Sequence, residues 1–248
     1  NTSPEEMTEK GNMTQLKEQT AIDGEIRRCV AASDMYQLLC MSVHLPTEEL
    51  AAGLCDGSYA EDVAAILEEL LFPAEEVKKI KSLLAALRAG GHGKDDLLTS
   101  MRREYTRLFT HPQNPGIAIY ETTFLYDPED ELQSQPTLFI SPAALDAERC
   151  YKKAGLQMAE KIKEPADHMA TEMEFMMYLY LQKARGLQQD LPEEAARREE
   201  EIREFSDDHL KKWAIAFFDR CKTLSQIDCY KIIGEIGSLY LKGMLAAS

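Results

Sequence analysis

An all-α fold, a single globular bundle of about nine or ten helices, is predicted by three features of this 248-residue chain. Apolar side chains recur at helical spacing in nearly every long segment, and capping and turn residues separate those segments. The one stretch that alternates has no second strand to pair with.

The elements follow in order. The opening residues, from NTSPEE to about residue 20, are expected to form a flexible tail outside the fold. Ile22, Ile26, Val30, Ser33 and Gln37, flanked by Cys29, Tyr36, Leu39 and Cys40, trace a first helix over residues 21–44. Thr47 caps a short helix through Leu54, and Asp56-Gly57 turns the chain. Ser58 and Glu61 make a capping box that opens a helix whose apolar face is Val63, Ile66, Leu67, Leu70 and Leu71. Pro73 starts the next, with Val77, Ile80, Leu83, Leu84 and Leu87 inside and Gly90-Gly91 past its end. A further helix from Asp95 carries Leu97, Leu98, Met101, Tyr105, Leu108 and Phe109.

Periodicity then stops. Residues 110–142 contain Pro112, Pro115, Pro128, Pro136 and Pro142, a long irregular stretch of the kind that links or carries function. Within it, Ile117 and Ile119 alternate weakly as a short strand would. Ser141-Pro142 caps a helix through Leu145, Tyr151, Met158 and Ile162. A Met-rich helix begins at Pro165, a charged one covers 193–204, and Ser206 caps one with Leu210, Trp213, Phe217 and Cys221 inside. The last carries Ile227, Tyr230, Ile233, Ile236, Tyr240 and Met244. One domain over 21–248 is expected, with helical groups at 21–109 and 143–248 joined by the proline-rich loop 110–142.

Composition excludes several function classes. The chain is 44% apolar and 29% charged, with 28 Lys and Arg against 43 Asp and Glu and a net charge of −15. Nucleic acid needs a basic face, so it is not an expected partner; cationic partners are. No apolar run is long enough to span a bilayer. No basic and apolar leader opens the chain, and Cys29, Cys40, Cys55, Cys150, Cys221 and Cys229 form no C-x-x-C pair. Buried reduced thiols and a cytoplasmic location are therefore expected.

The segment EPADHMATEMEFMMYLYLQ, from Glu164, joins a polar knot to an apolar helix. Met169, Met173, Met176, Met177, Tyr180 and Leu181 lie on one helical stripe, widened by Phe175, Tyr178 and Leu179, so this helix should be central. The knot reads as a helix start: Pro165 at the first position, Glu164 and Asp167 at the positive end of the dipole, and His168 hydrogen-bonded to Glu172 one turn on. Two acids, a histidine and Glu172 are more than a helix start requires. A second reading is thus a small metal-dependent helical enzyme using Glu164, Asp167, His168 and Glu172.

Against it, no histidine has a Glu three residues before it and H-E-x-x-H is absent, so no metal or cofactor is expected. RAGGHGKDD fails as a phosphate loop, with Arg88 at the first glycine position and Asp95 where Ser or Thr should follow the lysine. No nucleophile elbow or reactive cysteine context occurs. A Met- and aromatic-rich helical surface with an acidic rim is compatible with binding an apolar, arginine-bearing peptide. A helical scaffold without a groove is the remaining alternative.

Three stretches, in this order and spacing, carry a resemblance: EYTRLFTHPQNPGIAIYETTFLY, AGLQMAEKIKEPADHMATEMEFM and FSDDHLKKWAIAFF. From about residue 22 to the C-terminus the chain resembles the TorD-like family of redox-enzyme maturation chaperones, the branch serving dimethyl sulfoxide and trimethylamine N-oxide reductases. The resemblance implies an all-helical cytoplasmic chaperone, not an enzyme. Its partners would be the twin-arginine leader and apo-form of a molybdopterin oxidoreductase catalytic subunit, held until the molybdenum cofactor is inserted, with twin-arginine translocase components beyond. It places leader binding on Tyr105, Leu108, Phe109, Tyr120, Phe124, Glu164, Pro165, Asp167, His168 and Glu172, with a carboxylate pairing a leader arginine. A monomer or a dimer exchanging helices through the 110–142 hinge both fit. Tyr105, Tyr120 and Phe124 stand where some relatives carry tryptophan, Thr110-His111-Pro112 replaces a glycine-containing turn, and Met173 replaces a leucine.

Overall fold

The computed structural model describes residues 4–130, 133, 135, 137–157 and 164–246. Five helices precede the proline-rich stretch: α1 (Pro4–Val43), α2 (Glu48–Asp56), α3 (Ser58–Glu69), α4 (Ala74–Ala89) and α5 (Lys94–Tyr105). The short α6 (Glu121–Leu125) lies within it, and α7 (Pro142–Lys153), α8 (Met169–Gln188), α9 (Pro192–Phe205), α10 (Lys211–Leu224) and α11 (Asp228–Ala246) follow. Two π-helical turns, Thr106–Thr110 and Ser206–Leu210, extend α5 and join α9 to α10. The described residues contain no strand, so the all-α expectation holds.

The two predicted helical groups share one core. Helix α1 runs along α8, and α11 packs against both α10 and α4. Tyr36 of α1 stacks on Tyr180 of α8 at 5.7 Å and meets Tyr240 of α11 edge-on at 5.1 Å, so three distant segments converge on one ring. Ser33 Oγ donates to the Met177 carbonyl at 3.0 Å, a bond available because Met177 lies at the α1–α8 seam. Helices α10 and α11 approach through Gly234, where an added Cβ would fall on the backbone of Lys222 and Phe218.

Several local expectations are corrected. Helix α1 begins at Pro4 rather than near residue 21. Its buried face is Cys29, Ala32, Met35, Tyr36, Leu39 and Val43, while Ile22, Val30 and Gln37 are exposed. Tyr36, packed between Tyr180 and Tyr240, lies on the face that turns inward. Thr47 caps α2 as expected, accepting from Leu50 N at 3.3 Å. Ser58 makes no capping box; Asp56 Oδ1 accepts its N–H at 2.8 Å instead. Leu71 is exposed with φ of 59°, ending α3. Ser206 does not cap α10, because the chain continues through the π turn without leaving helical backbone. Ser141 does cap α7, accepting from Ala144 N at 3.2 Å. That helix ends at Lys153, and Gly155 turns the chain at φ of 90°. Met158 and Ile162, expected to continue it, lie outside the described residues.

Candidate functional site

The polar knot is not the first turn of a helix. Residues 164–168 form a turn and a single antiparallel bridge, Tyr120 to His168, and α8 starts at Met169. Two backbone bonds flank the bridge: Glu121 N donates to the Asp167 carbonyl at 2.9 Å, and Met169 N to the Ile119 carbonyl at 3.0 Å. The weak alternation of Ile117 and Ile119 is real. Both are buried outside any strand: the Ile119 carbonyl accepts from Met169 N at the knot, whereas Ile117 N donates to the Leu108 carbonyl of the π turn.

Each knot side chain then has a separate job. His168 is the N-cap of α8: its Nδ1 accepts from Ala170 N at 3.1 Å, which leaves the ring proton on Nε2. The expected bond to Glu172 does not form, because the cap points the ring away from the helix and toward His44, stacked at 5.9 Å, and Tyr120, edge-on at 5.2 Å. Burial, reinforced by His44, pushes the His168 pKa down to about 3; Glu164 Oε1, at 3.6 Å, is too distant for the hydrogen bond that would offset burial. Asp167 is fully buried, and its Oδ2 accepts from Thr122 N at 2.9 Å and from the Thr122 hydroxyl. Burial holds its pKa above the usual value, with the Thr122 bonds opposing. Asp167 Oδ1 has no hydrogen-bond partner among the described residues.

Behind the knot lies a buried polar layer that the sequence reading missed. Glu172 is fully buried on α8, and its Oε2 accepts from Trp213 Nε1 of α10 at 3.0 Å. Burial and then the neighbouring Glu121 push its pKa well above the usual carboxylate value, with the charge of His209 and the Trp213 bond opposing. Glu121, 2% exposed, places Oε2 2.7 Å from His209 Nδ1, and the other face of that ring, Nε2, is 3.2 Å from Asp146 Oδ2 on α7. Burial would lower the His209 pKa, but hydrogen bonds to Cys150 and Glu121 and the charge of Glu172 outweigh it and lift it to about 10. Glu121 and His209 are 88 residues apart, so no spacing rule joins them; both nevertheless fall inside the stretches that carried the resemblance.

The aromatic motif is buried as well. Tyr105, Leu108 and Phe109 are buried, with Phe109 stacked on Phe217 at 5.6 Å and meeting Tyr105 edge-on at 5.3 Å. The π turn carries Leu108 and Phe109, and its carbonyls at Arg107 and Leu108 accept from Gly116 N and Ile117 N, docking the start of the loop. Phe124 is half-buried against Trp213 at 5.5 Å, with the Arg220 guanidinium 4.1 Å above its ring. Tyr120 donates to Glu164 Oε1 at 3.2 Å. Pro165 is buried, and Glu164, with 34% of its side chain exposed, is the motif acid that reaches the surface.

Beside Glu164 opens a groove of about 630 Å³. Tyr151, Leu156, Phe175, Met177 and Tyr178 give it an apolar lining, and Glu164, Glu174, Thr171 and His44 a polar rim. A second groove of about 570 Å³, between α3 and α4, holds Arg88 and Lys81 and none of the motif residues. Glu164, Asp167, His168 and Glu172 do not converge as a ligand set among the described residues: Asp167 faces Thr122, Glu172 faces Trp213, and the groups that could hold a cation centre on His209.

A family model described as the nitrate reductase delta subunit matches residues 71–219. The chaperone protein TorD of Vibrio parahaemolyticus is 22% identical over 143 residues, 58% of this chain and 61% of that protein. TorD of Vibrio atlanticus is 24% identical over 148 residues, 60% of this chain and 62% of that one. The chain thus spans about three fifths of the curated relatives it matches. The matched region runs from the end of α3 to within α10 and takes in the loop, the knot and the buried layer behind it. With more than half of its length matched, the chain belongs to the TorD-like nitrate reductase delta subunit family.

Proposed function

We propose that the chain is a cytoplasmic maturation chaperone, not an enzyme, for the catalytic subunit of a molybdopterin oxidoreductase. It holds the apo-form by its twin-arginine leader and body, and so holds back export until the cofactor is inserted. Family membership and the two TorD relatives support the chaperone class. The observation that carries the reading is the groove beside the knot, where aromatic and methionine side chains lie next to the carboxylates of Glu164 and Glu174. An apolar peptide with arginines near one end matches both halves of that surface, since charge-assisted Arg–carboxylate bonds add orientation to apolar contact. Of the residues first assigned to leader binding, Glu164 and Tyr120 would then meet the peptide. Asp167, His168, Glu172, Pro165, Tyr105, Leu108 and Phe109 would shape the wall behind it, and Phe124 the adjoining loop.

The test is fluorescence anisotropy of a labelled Arg-Arg leader peptide titrated with the full chain. Saturable, salt-sensitive binding is expected, several-fold weaker with Glu164→Gln or Glu174→Gln and with a Lys-Lys leader. Absence of saturable binding, or a pair of glutamine variants indistinguishable from wild type, would overturn this assignment. No observation favours the metal-dependent enzyme built on Glu164, Asp167, His168 and Glu172, because those side chains diverge.

A further inference from the structure

The polar layer holds a second, separate constellation, on the side of His209 that faces α7. Asp146 and Cys150 sit one turn apart on α7, and a carboxylate oxygen, the Sγ and a ring nitrogen of His209 all lie within 4.8 Å of one another, with Asp146 Oδ2 3.2 Å from His209 Nε2. Tetrahedral zinc, with bonds of about 2.3 Å to sulfur and 2.0–2.1 Å to nitrogen, sets its ligand atoms roughly 3.5 Å apart, so a modest contraction closes the set. The ring is already oriented for it. Nδ1 is engaged by the buried Glu121 carboxylate at 2.7 Å, which leaves Nε2 as the nitrogen that faces the cluster. A histidine whose far nitrogen is held by a carboxylate is the usual second-layer arrangement behind a metal-binding imidazole.

Access and charge agree. Asp146 is 35% exposed at its side chain and Cys150 is half-buried, so one face of the cluster opens to solvent while His209 forms its floor. Arg149 occupies Asp146 Oδ1 and leaves Oδ2 to point at the ring. Carboxylate, thiolate and imidazole are together a donor set suited to zinc. The other grouping around this histidine, with Glu121 and Glu172, is less suited. There Nδ1 is taken by Glu121, and Glu172 is bonded to Trp213.

We propose that Asp146, Cys150 and His209 form a binding site for a divalent zinc-like cation, with Glu121 as the positioning residue and solvent as the fourth ligand. Such an ion would pin α7, and with it the C-terminal end of the proline-rich loop, to the π turn between α9 and α10. Because thiol and imidazole must lose their protons to bind, uptake releases protons into solution.

The experiment is a titration of chelator-stripped full chain with Zn²⁺ against a chromophoric competitor, alongside Co²⁺ loading followed by absorption. One equivalent of specific binding is expected, with a thiolate-to-cobalt charge-transfer band. Cys150→Ser and Asp146→Asn should each weaken zinc by at least about tenfold, and Glu121→Gln by about 10–100-fold. Cys150→Ser should also abolish the cobalt band with helix content unchanged by circular dichroism, whereas Cys55→Ser should alter neither. No stoichiometric binding, a Cys150→Ser variant that binds as wild type, or cobalt loading without a thiolate band overturns the site.

Discussion

Replacing His168 with asparagine should flatten one limb of the stability–pH curve. In the folded chain the ring is 2% exposed and caps α8 as the neutral imidazole, with a pKa near 3 against 6.5 for the free side chain. A depressed folded pKa means the unfolded chain takes up a proton first as pH falls. The contribution is therefore present above about pH 6.5 and is lost progressively toward pH 3. The full difference of 3.5 pH units corresponds to about 5 kcal/mol, and between about pH 7 and pH 5 the loss is about 2 kcal/mol. The groups facing the ring are Glu164, His44 and Tyr120, and the variant keeps all three, so the difference between the two curves reads the change at residue 168. Asparagine is a favoured N-cap and can still accept from Ala170 N, so it loses ring packing, a cost that does not vary with pH. Urea denaturation of both proteins, followed by Trp213 fluorescence and repeated from pH 7 to 5, reads the difference. The wild type should lose about 2 kcal/mol more than the variant over that range, equivalent to roughly 4–8 °C in Tm. A wild-type-minus-variant difference that stays constant with pH would mean that His168 is not held neutral, and the argument from burial would fail.

Three further perturbations follow from the packing. Gly234→Ala places a Cβ 2.7 Å from the Phe218 carbonyl oxygen, backbone that cannot swing aside, and should cost about 3 kcal/mol in urea denaturation; a loss within experimental error would mean that α10 and α11 are not in this close contact. Trp213→Phe removes the N–H that Glu172 Oε2 accepts and should cost about 1–3 kcal/mol, measured by circular dichroism; an unchanged midpoint would place Glu172 in contact with another donor. Asp167→Ala leaves the Thr122 N–H without its carboxylate and should speed amide exchange at Thr122 and weaken the leader peptide. Asp167→Asn keeps an acceptor there and should bind within about twofold of wild type; equal losses in both would show that the negative charge itself is required.

Much of the helical order was legible because it depends on local signals. Pro73, the Ser141-Pro142 pair and the Thr47 cap each act within a turn of their own position, and each delimits a helix as expected. The apolar faces of α4 and α10 follow directly from a single stripe, and that of α3 does as far as Leu67, with Leu71 falling beyond the helix and exposed. Helix α1 has two competing stripes, and only the positions of Tyr180 and Tyr240 on other helices decide between them. The knot was misread for a related reason. Pro165 suits a first helical turn, but the backbone of Ile119 and Glu121 draws residues 167–169 into a bridge, so the helix starts four residues later with His168 as its cap. Glu121, Asp146 and His209 come from three separate elements, and no sequence spacing carries that kind of convergence.

The burial of Asp167 changes what a loss of peptide binding at this motif means. A carboxylate on a surface acts through its charge, and its removal leaves the backbone where it was. Asp167 instead fixes the backbone of Thr122, and Thr122 shares its hydroxyl with Ser141, the cap of α7. Weakening that carboxylate therefore reaches two points along the proline-rich loop: α6 within it, where Glu121 is anchored, and α7 at its C-terminal end, where Asp146 meets the same histidine. The polar residues of the knot and the layer behind it act as one clamp on this segment, beside the apolar anchors Ile117 and Ile119. The groove beside Glu164 is bounded by that clamp on one side and by the Met-rich helix on the other. If the groove takes the proposed leader, its acidic rim over an apolar floor depends on buried polar groups that need never touch the peptide, and Glu164 and Glu174 are where charge alone can be tested.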